Sequence, residues 1–135
     1  MTPVADGSRP QPIRGMSVVA AGVLDTVVIL VFAAVGRATH DETNPVLGVL
    51  ATAWPFLVGA AAGWALVHGR SLRWPTRVGT GIPVWVCAVV LGMLLRVVTG
   101  GGTAFSFVVV ATLVLGVLLL GWRVLAVRVR PRLAS

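Results

Sequence analysis

Asp25 and Arg96 are the ionisable residues that lie within long apolar stretches of this 135-residue chain, and they are where chemistry would be sought first. A charge near the centre of a bilayer costs about 2.5–3.5 kcal/mol on insertion scales, so such a residue usually faces neighbouring helices and has a partner or a task. Asp25 lies eight residues beyond Ser17, about 12 Å along a helix that rises about 1.5 Å per residue. With Ala21, Gly22, Ile29 and Phe32 it defines one helix face. A carboxylate at that depth is a candidate proton-binding site. Thr26 and Thr112 are the nearest hydroxyl partners by depth, so Asp25, Thr26 and Thr112 form a candidate buried polar site.

An ion pair between Asp25 and Arg96 is disfavoured by depth. Counted from Val78, Arg96 lies about 27 Å from the same side, an offset of about 15 Å, and starting the helix at Ile82 still leaves about 9 Å. Snorkelling to the opposite interface, or pairing with Asp41 or Glu42, accounts for Arg96 better. Arg37, His40, Asp41, Glu42, Arg96, Thr99 and Thr103 make a second candidate, a polar cluster at the outer end. The three glycines between Thr99 and Thr103 could free backbone N–H groups to form an anion-binding concavity, or the segment could be a solvated loop. His40 and His68 have no second His or Cys at ligand spacing, and Cys87 reads as a small buried hydrophobe, so no metal is expected. No nucleophile elbow, P-loop, dinucleotide fingerprint or HExxH occurs, and neither an enzymatic activity nor a cofactor is expected.

Membrane helices must position these residues. The chain is 57% hydrophobic and 11% charged, with a mean hydropathy of +0.96, whereas a soluble domain is about 25% charged. Four apolar segments, 17–36, 46–68, 78–98 and 104–127, each have about 20 residues or more, enough to cross about 30 Å of hydrocarbon. None alternates with the period of a barrel strand. Their connections are short, which makes sequential helices antiparallel neighbours. The expected fold is all-α: a polytopic membrane protein with four transmembrane helices in an up-down-up-down bundle. Residues 1–16 read as a disordered cytoplasmic tail and 128–135 as a basic cytoplasmic tail of similar character. The first segment is too long for a signal core and contains an aspartate, so cleavage is not expected.

Orientation follows from arginines, the only basic residues besides histidine. Arg9 and Arg14 precede the first segment, Arg70, Arg73 and Arg77 fill the second connection, and Arg123, Arg128, Arg130 and Arg132 close the chain. Those nine share one side, with only Arg37 and Arg96 on the other, and the positive-inside rule places both termini of a multi-pass cell-membrane protein in the cytoplasm. Trp64, Trp74 and Trp122 fall near the same interface as anchors. Because the arginines flank membrane segments, the expected partner is anionic lipid headgroups rather than nucleic acid.

Small residues indicate how the helices pack, since close backbone approach drives association in lipid. Gly48, Thr52, Pro55, Gly59 and Gly63 form a ridge on the second helix that includes a GxxxG. It serves packing within the bundle or, alternatively, a homodimer face or a membrane-protein partner, with Gly92 and Gly116 as opposing small positions. There is also an internal echo: Ala51-Thr52 with Gly63-Trp64 resembles Ala111-Thr112 with Gly121-Trp122, and helices 1 and 3 both end in an arginine. Duplication or shared membrane composition would each produce it.

The helix 1 aspartate, Gly36-Arg37 with His40, Thr52-Ala53-Trp54-Pro55-Phe56 with Gly59, Gly63-Trp64, Trp74-Pro75 with Trp85, Gly92-Met93-Leu94-Leu95-Arg96, Gly102-Thr103-Ala104 with Ser106-Phe107, and Gly121-Trp122-Arg123 together resemble the small prokaryotic membrane proteins of domain of unknown function 3054, over about residues 17–125. The resemblance implies a four-helix membrane architecture with no established activity, and implies that Asp25, Arg37, His40, Thr52, Trp54, Pro55, Arg96, Thr103 and Ser106 belong to a family pattern. Two functional classes follow: a structural or accessory protein acting through helix–helix contacts, or a small oligomeric proton- or cation-coupled transporter or channel using Asp25.

Overall fold

The computed structural model describes residues 17–37, 44–101 and 104–133. Among these residues the chain forms four helices: α1 (Val18–Arg37), α2 (Pro45–Ser71), α3 (Val78–Val98) and α4 (Phe105–Leu133). Local chemistry sets their ends. Asn44 caps α2 by accepting a hydrogen bond from the Leu47 N–H, and Pro45 occupies the first turn, where its missing N–H leaves nothing unsatisfied. The helix stops at Leu72, which adopts a left-handed conformation (φ 57°) and donates its N–H to the His68 carbonyl. Gly100 takes the same left-handed region (φ 83°) after α3, a conformation glycine adopts without a Cβ clash.

The bundle is antiparallel, as the short connections require, and α1, α2, α3 and α4 form a ring in which each helix packs on its two neighbours. The tightest seam joins α2 and α3. There the GxxxG works within the bundle: a Cβ on Gly59 would lie 2.6 Å from the Cys87 carbonyl oxygen, and one on Gly63 would lie 2.7 Å from the Val84 Cα. Gly48 and Thr52 are buried on the same helix. Gly92 and Gly116 have a different role from the backbone contacts expected of them. Each makes room for a ring, a Cβ at Gly92 falling 2.5 Å from Phe56 and one at Gly116 falling 3.0 Å from the Trp85 indole. Pro55 and Pro83 both lie inside helices.

The core is apolar, with Ile29, Phe56, Val84, Leu115 and Leu119 fully buried. The outward faces are apolar too: Val19, Val23, Val27, Val31 and Val35 are exposed along α1, and Leu113 and Val117 along α4. All four helices are long and apolar enough to cross a membrane, and the bundle interior holds small, aliphatic and aromatic side chains and, at one place, a charged pair. One boundary differs from the expected tail: α4 runs on to Leu133 instead of ending at Val127. Arg and Leu are good helix formers, and Pro131 removes only one N–H close to the helix end.

Candidate functional site

Asp25 is the polar centre of the bundle, and its partner is Arg123, not Arg96. The carboxylate is 3% exposed and the guanidinium fully buried. They meet end-on, Nη1 donating to Oδ1 at 2.8 Å and Nη2 to Oδ2 at 2.7 Å. Two indoles complete the carboxylate: Trp122 Nε1 donates to Oδ1 at 2.8 Å and Trp64 Nε1 to Oδ2 at 2.8 Å. A carboxylate has about four lone-pair sites, and each here faces a donor. Arg123 is equally complete. Its Nε and Nη2 donate to the Pro75 carbonyl at 3.1 and 2.7 Å, and Nη1 also donates to the Leu119 carbonyl at 2.7 Å, so all five N–H groups of the guanidinium are used. The guanidinium carbon also lies 4.3 Å from the Trp122 ring centroid.

Four parts of the chain meet at this point: α1, α2, the connection carrying Pro75, and α4. Gly81 on α3 makes the space, because a Cβ there would lie 2.6 Å from Arg123 Cδ. The net charge of the buried pair is zero, which removes the largest part of the cost of placing either ion in hydrocarbon.

The hydroxyls expected to serve Asp25 are used elsewhere. Thr26 donates to the Gly22 carbonyl and Thr112 to the Val108 carbonyl, each bonding back into its own helix. The Thr112 carbonyl accepts from Trp85 Nε1. Of the three tryptophans read as interfacial anchors, Trp64 and Trp122 point inward to Asp25, while Trp74 stacks on His68 with ring centroids 3.8 Å apart. Arg123, counted among the flanking charges, belongs to the interior. The charge count grouped Arg123 with the arginines that follow it, although it lies inside the apolar segment. The apolar span runs to Val129, about 9 Å beyond Arg123.

The opposite end of the bundle holds a different arrangement. Arg37 at the end of α1 and Arg96 near the end of α3 both line a cleft of about 370 Å³. Arg37 Nη1 donates to the Thr52 hydroxyl at 2.8 Å, and the Arg96 guanidinium lies 4.3 Å from the Phe107 ring centroid. Ser106 and Val110 on α4 also line the cleft. Beneath it Phe32, Phe56 and Phe107 form a cluster, with Phe32 and Phe56 edge to face at 5.5 Å between centroids.

Of the outer cluster read from sequence, Arg37 and Arg96 come together in this cleft. His40, Asp41, Glu42 and Thr103 lie outside the described residues. Thr99 caps α3, its hydroxyl donating to the Leu95 carbonyl at 2.7 Å. The glycine turn is not the anion-binding concavity its composition allowed at Gly100 and Gly101, whose N–H groups donate back to the Val97 and Arg96 carbonyls. Gly101 instead lets the turn lie close against the Arg96 side chain, a Cβ there falling 3.0 Å from Arg96 Cγ.

The family described as "Protein of unknown function (DUF3054)" matches residues 22–126, nearly the whole bundle, and the chain belongs to that family. No curated protein and no solved structure matches the chain.

Proposed function

We propose that this member of the DUF3054 family is a structural or accessory membrane protein without catalytic activity, acting through helix–helix contacts with a membrane-protein partner or a second copy. The observation that carries this reading is the completeness of the Asp25 site. Every acceptor position of the carboxylate and every N–H of its guanidinium partner is engaged within the bundle. A proton or cation arriving at Asp25 would have to displace one of these donors, and the pair serves instead as a fixed staple.

The proposed topology places both termini in the cytoplasm. With Arg123 assigned to the interior, Arg9, Arg14, Arg70, Arg73, Arg77, Arg128, Arg130 and Arg132 remain as flanking charges, still a strong asymmetry against Arg37 and Arg96. Anionic lipid headgroups at that face are the complementary partner.

A small oligomeric transporter or channel using Asp25 is the second reading. A groove of about 400 Å³ between α1 and α2, with Asp25 and Trp64 in its wall, favours it. The experiment compares wild type with Asp25→Asn and with the paired Asp25→Leu/Arg123→Met. A staple predicts that the single variant loses thermal stability, that the pair regains most of it, and that proteoliposomes under an imposed potential take up protons no faster than protein-free vesicles. Proton uptake by wild type that disappears in a folded paired variant would overturn the structural reading in favour of transport.

A further inference from the structure

We infer that the cleft formed by the α2–α3 connection and the first turns of α1 and α3 binds the phosphate of one anionic phospholipid, with Arg73 and Arg77 as its ligands. The inference rests on the reading of the arginine-rich end as a partner for lipid headgroups, and it gives that reading a defined site.

The cleft has a volume of about 380 Å³ and is lined by Val18, Arg73, Trp74, Thr76, Arg77 and Thr80. Among the described residues neither Arg73 nor Arg77 makes a hydrogen bond or ion pair through its guanidinium. Only their backbone N–H groups are engaged, with the Ser71 and Thr80 hydroxyls. The charge inventory explains why no internal acceptor meets them. Of the four acidic residues in the chain, Asp25 is taken by Arg123, Asp41 and Glu42 belong to the α1–α2 connection at the other end, and Asp6 is the one left in sequence on this side. The anion complementary to these guanidinium groups therefore comes from outside the chain.

The connection that carries both arginines is fixed at its centre. Pro75 is fully buried, and its carbonyl accepts from Arg123 Nε and Nη2. Trp74 stacks on His68 and packs against Trp64, with ring centroids 3.8 and 6.1 Å away. The Thr76 N–H donates to the Trp74 carbonyl at 2.8 Å, and the Thr80 hydroxyl accepts from the Arg77 N–H while donating to the Arg77 carbonyl. The buried Asp25–Arg123 pair thus helps to position a loop whose two guanidinium forks match phosphate oxygens bidentately. The positive end of the α3 dipole adds to them. Trp74 and Val18 give the cleft an apolar border, which suits a headgroup joined to acyl chains better than a free ion. The site also lies at the ends of apolar spans, the level at which headgroups and interfacial indoles meet.

The test titrates the full chain, purified in detergent, with phosphatidylglycerol and separately with phosphatidylcholine, and reads bound lipid by native mass spectrometry. An ionic strength of about 0.15 M screens diffuse attraction beyond about 8 Å. One saturable phosphatidylglycerol per chain is expected, bound at least tenfold more tightly than phosphatidylcholine. Arg73→Gln/Arg77→Gln is expected to remove that preference, and each single substitution to weaken it at least threefold, so the site is testable with either variant alone. Arg70→Gln/Arg128→Gln lowers the charge of the same end equally but outside the cleft, and is expected to bind within twofold of wild type. All four side chains are exposed, and unfolding midpoints close to wild type are expected to separate lost binding from lost fold. Equal weakening in the two double variants would overturn the site while leaving the headgroup reading of the basic end intact. No preference for phosphatidylglycerol in wild type would overturn both. Complete displacement of the lipid by millimolar inorganic phosphate would assign the cleft to a free ion and overturn the phospholipid as its occupant.

Discussion

At one end of the bundle Arg123 is enclosed, fully buried and engaged through all five N–H groups, and at the other end Arg37 and Arg96 line an open cleft of about 370 Å³. The same side chain thus does two kinds of work in one small protein. Where acceptors from several elements surround it completely, arginine fixes how helices meet; at the other end Thr52 accepts from Arg37 and the Phe107 ring lies against Arg96, beside a cavity of ligand size. The difference is not in charge, since each is a guanidinium, but in the number of elements that converge. Four parts of the chain meet at Arg123, including the Pro75 carbonyl from the α2–α3 connection.

The contrast also separates two ways of joining helices. The α2–α3 seam needs no polar contact, because Gly59 and Gly63 bring the backbones together. The α1–α4 seam has fewer close backbone approaches, and the Asp25–Arg123 pair spans it.

The contrast is broken most directly at Arg123. Removing one member of a buried ion pair strands the other, at a cost of about 3–5 kcal/mol, whereas replacing both by apolar side chains of similar volume is often neutral or stabilising. Arg123→Ala is therefore expected to lower the unfolding midpoint in detergent by the largest amount of any single substitution considered, with Asp25→Leu/Arg123→Met close to wild type. Equal losses in the single and paired variants would show that the two residues are not coupled.

Trp64→Phe and Trp122→Phe sharpen the same end by removing one donor each. Hydrogen bonds to charged groups contribute about 1.5–3 kcal/mol, and each variant is expected to lose an amount in that range, measured by chemical unfolding. Because both indoles serve one carboxylate, their combined loss should differ from the sum of the two, and simple additivity would argue against a shared site. Gly81→Ala tests the space around the pair. Its Cβ would lie 2.6 Å from Arg123 Cδ, and overpacking of this kind costs about 1–3 kcal/mol. The penalty is expected to shrink in the Asp25→Leu/Arg123→Met background, where the more flexible methionine can yield.

How much of this was legible in sequence depends on the kind of signal. The four helices were, because hydrocarbon thickness sets their length and because Asn44-Pro45 and the glycine turn mark ends by local chemistry. Asp25 was legible as the residue that had to be answered. Its answer was not, because counting arginines by side grouped Arg123 with the charges that follow it, although it lies within the fourth apolar segment, and because a main-chain acceptor such as the Pro75 carbonyl leaves no trace in residue type. One signal did point there: the repeated Gly-Trp at 63–64 and 121–122, whose two indoles converge on the same carboxylate. That shared partner accounts for the echo without requiring a duplicated hairpin. At the other end, the arginines closing helices 1 and 3 were visible as a pair of similar endings, and their meeting across the cleft is a consequence of the ring order of the bundle.

The smallest stability effect is expected at Arg96. The Phe107 ring lies 4.3 Å from its guanidinium, and cation–π contacts contribute about 0.5–1 kcal/mol at exposed sites and about 2 kcal/mol when desolvated. Arg96→Gln is therefore expected to shift the unfolding midpoint less than Arg123→Ala, whose loss strands a buried carboxylate. Should Arg96→Gln destabilise the protein as strongly as Arg123→Ala, the two ends would be variants of one structural device.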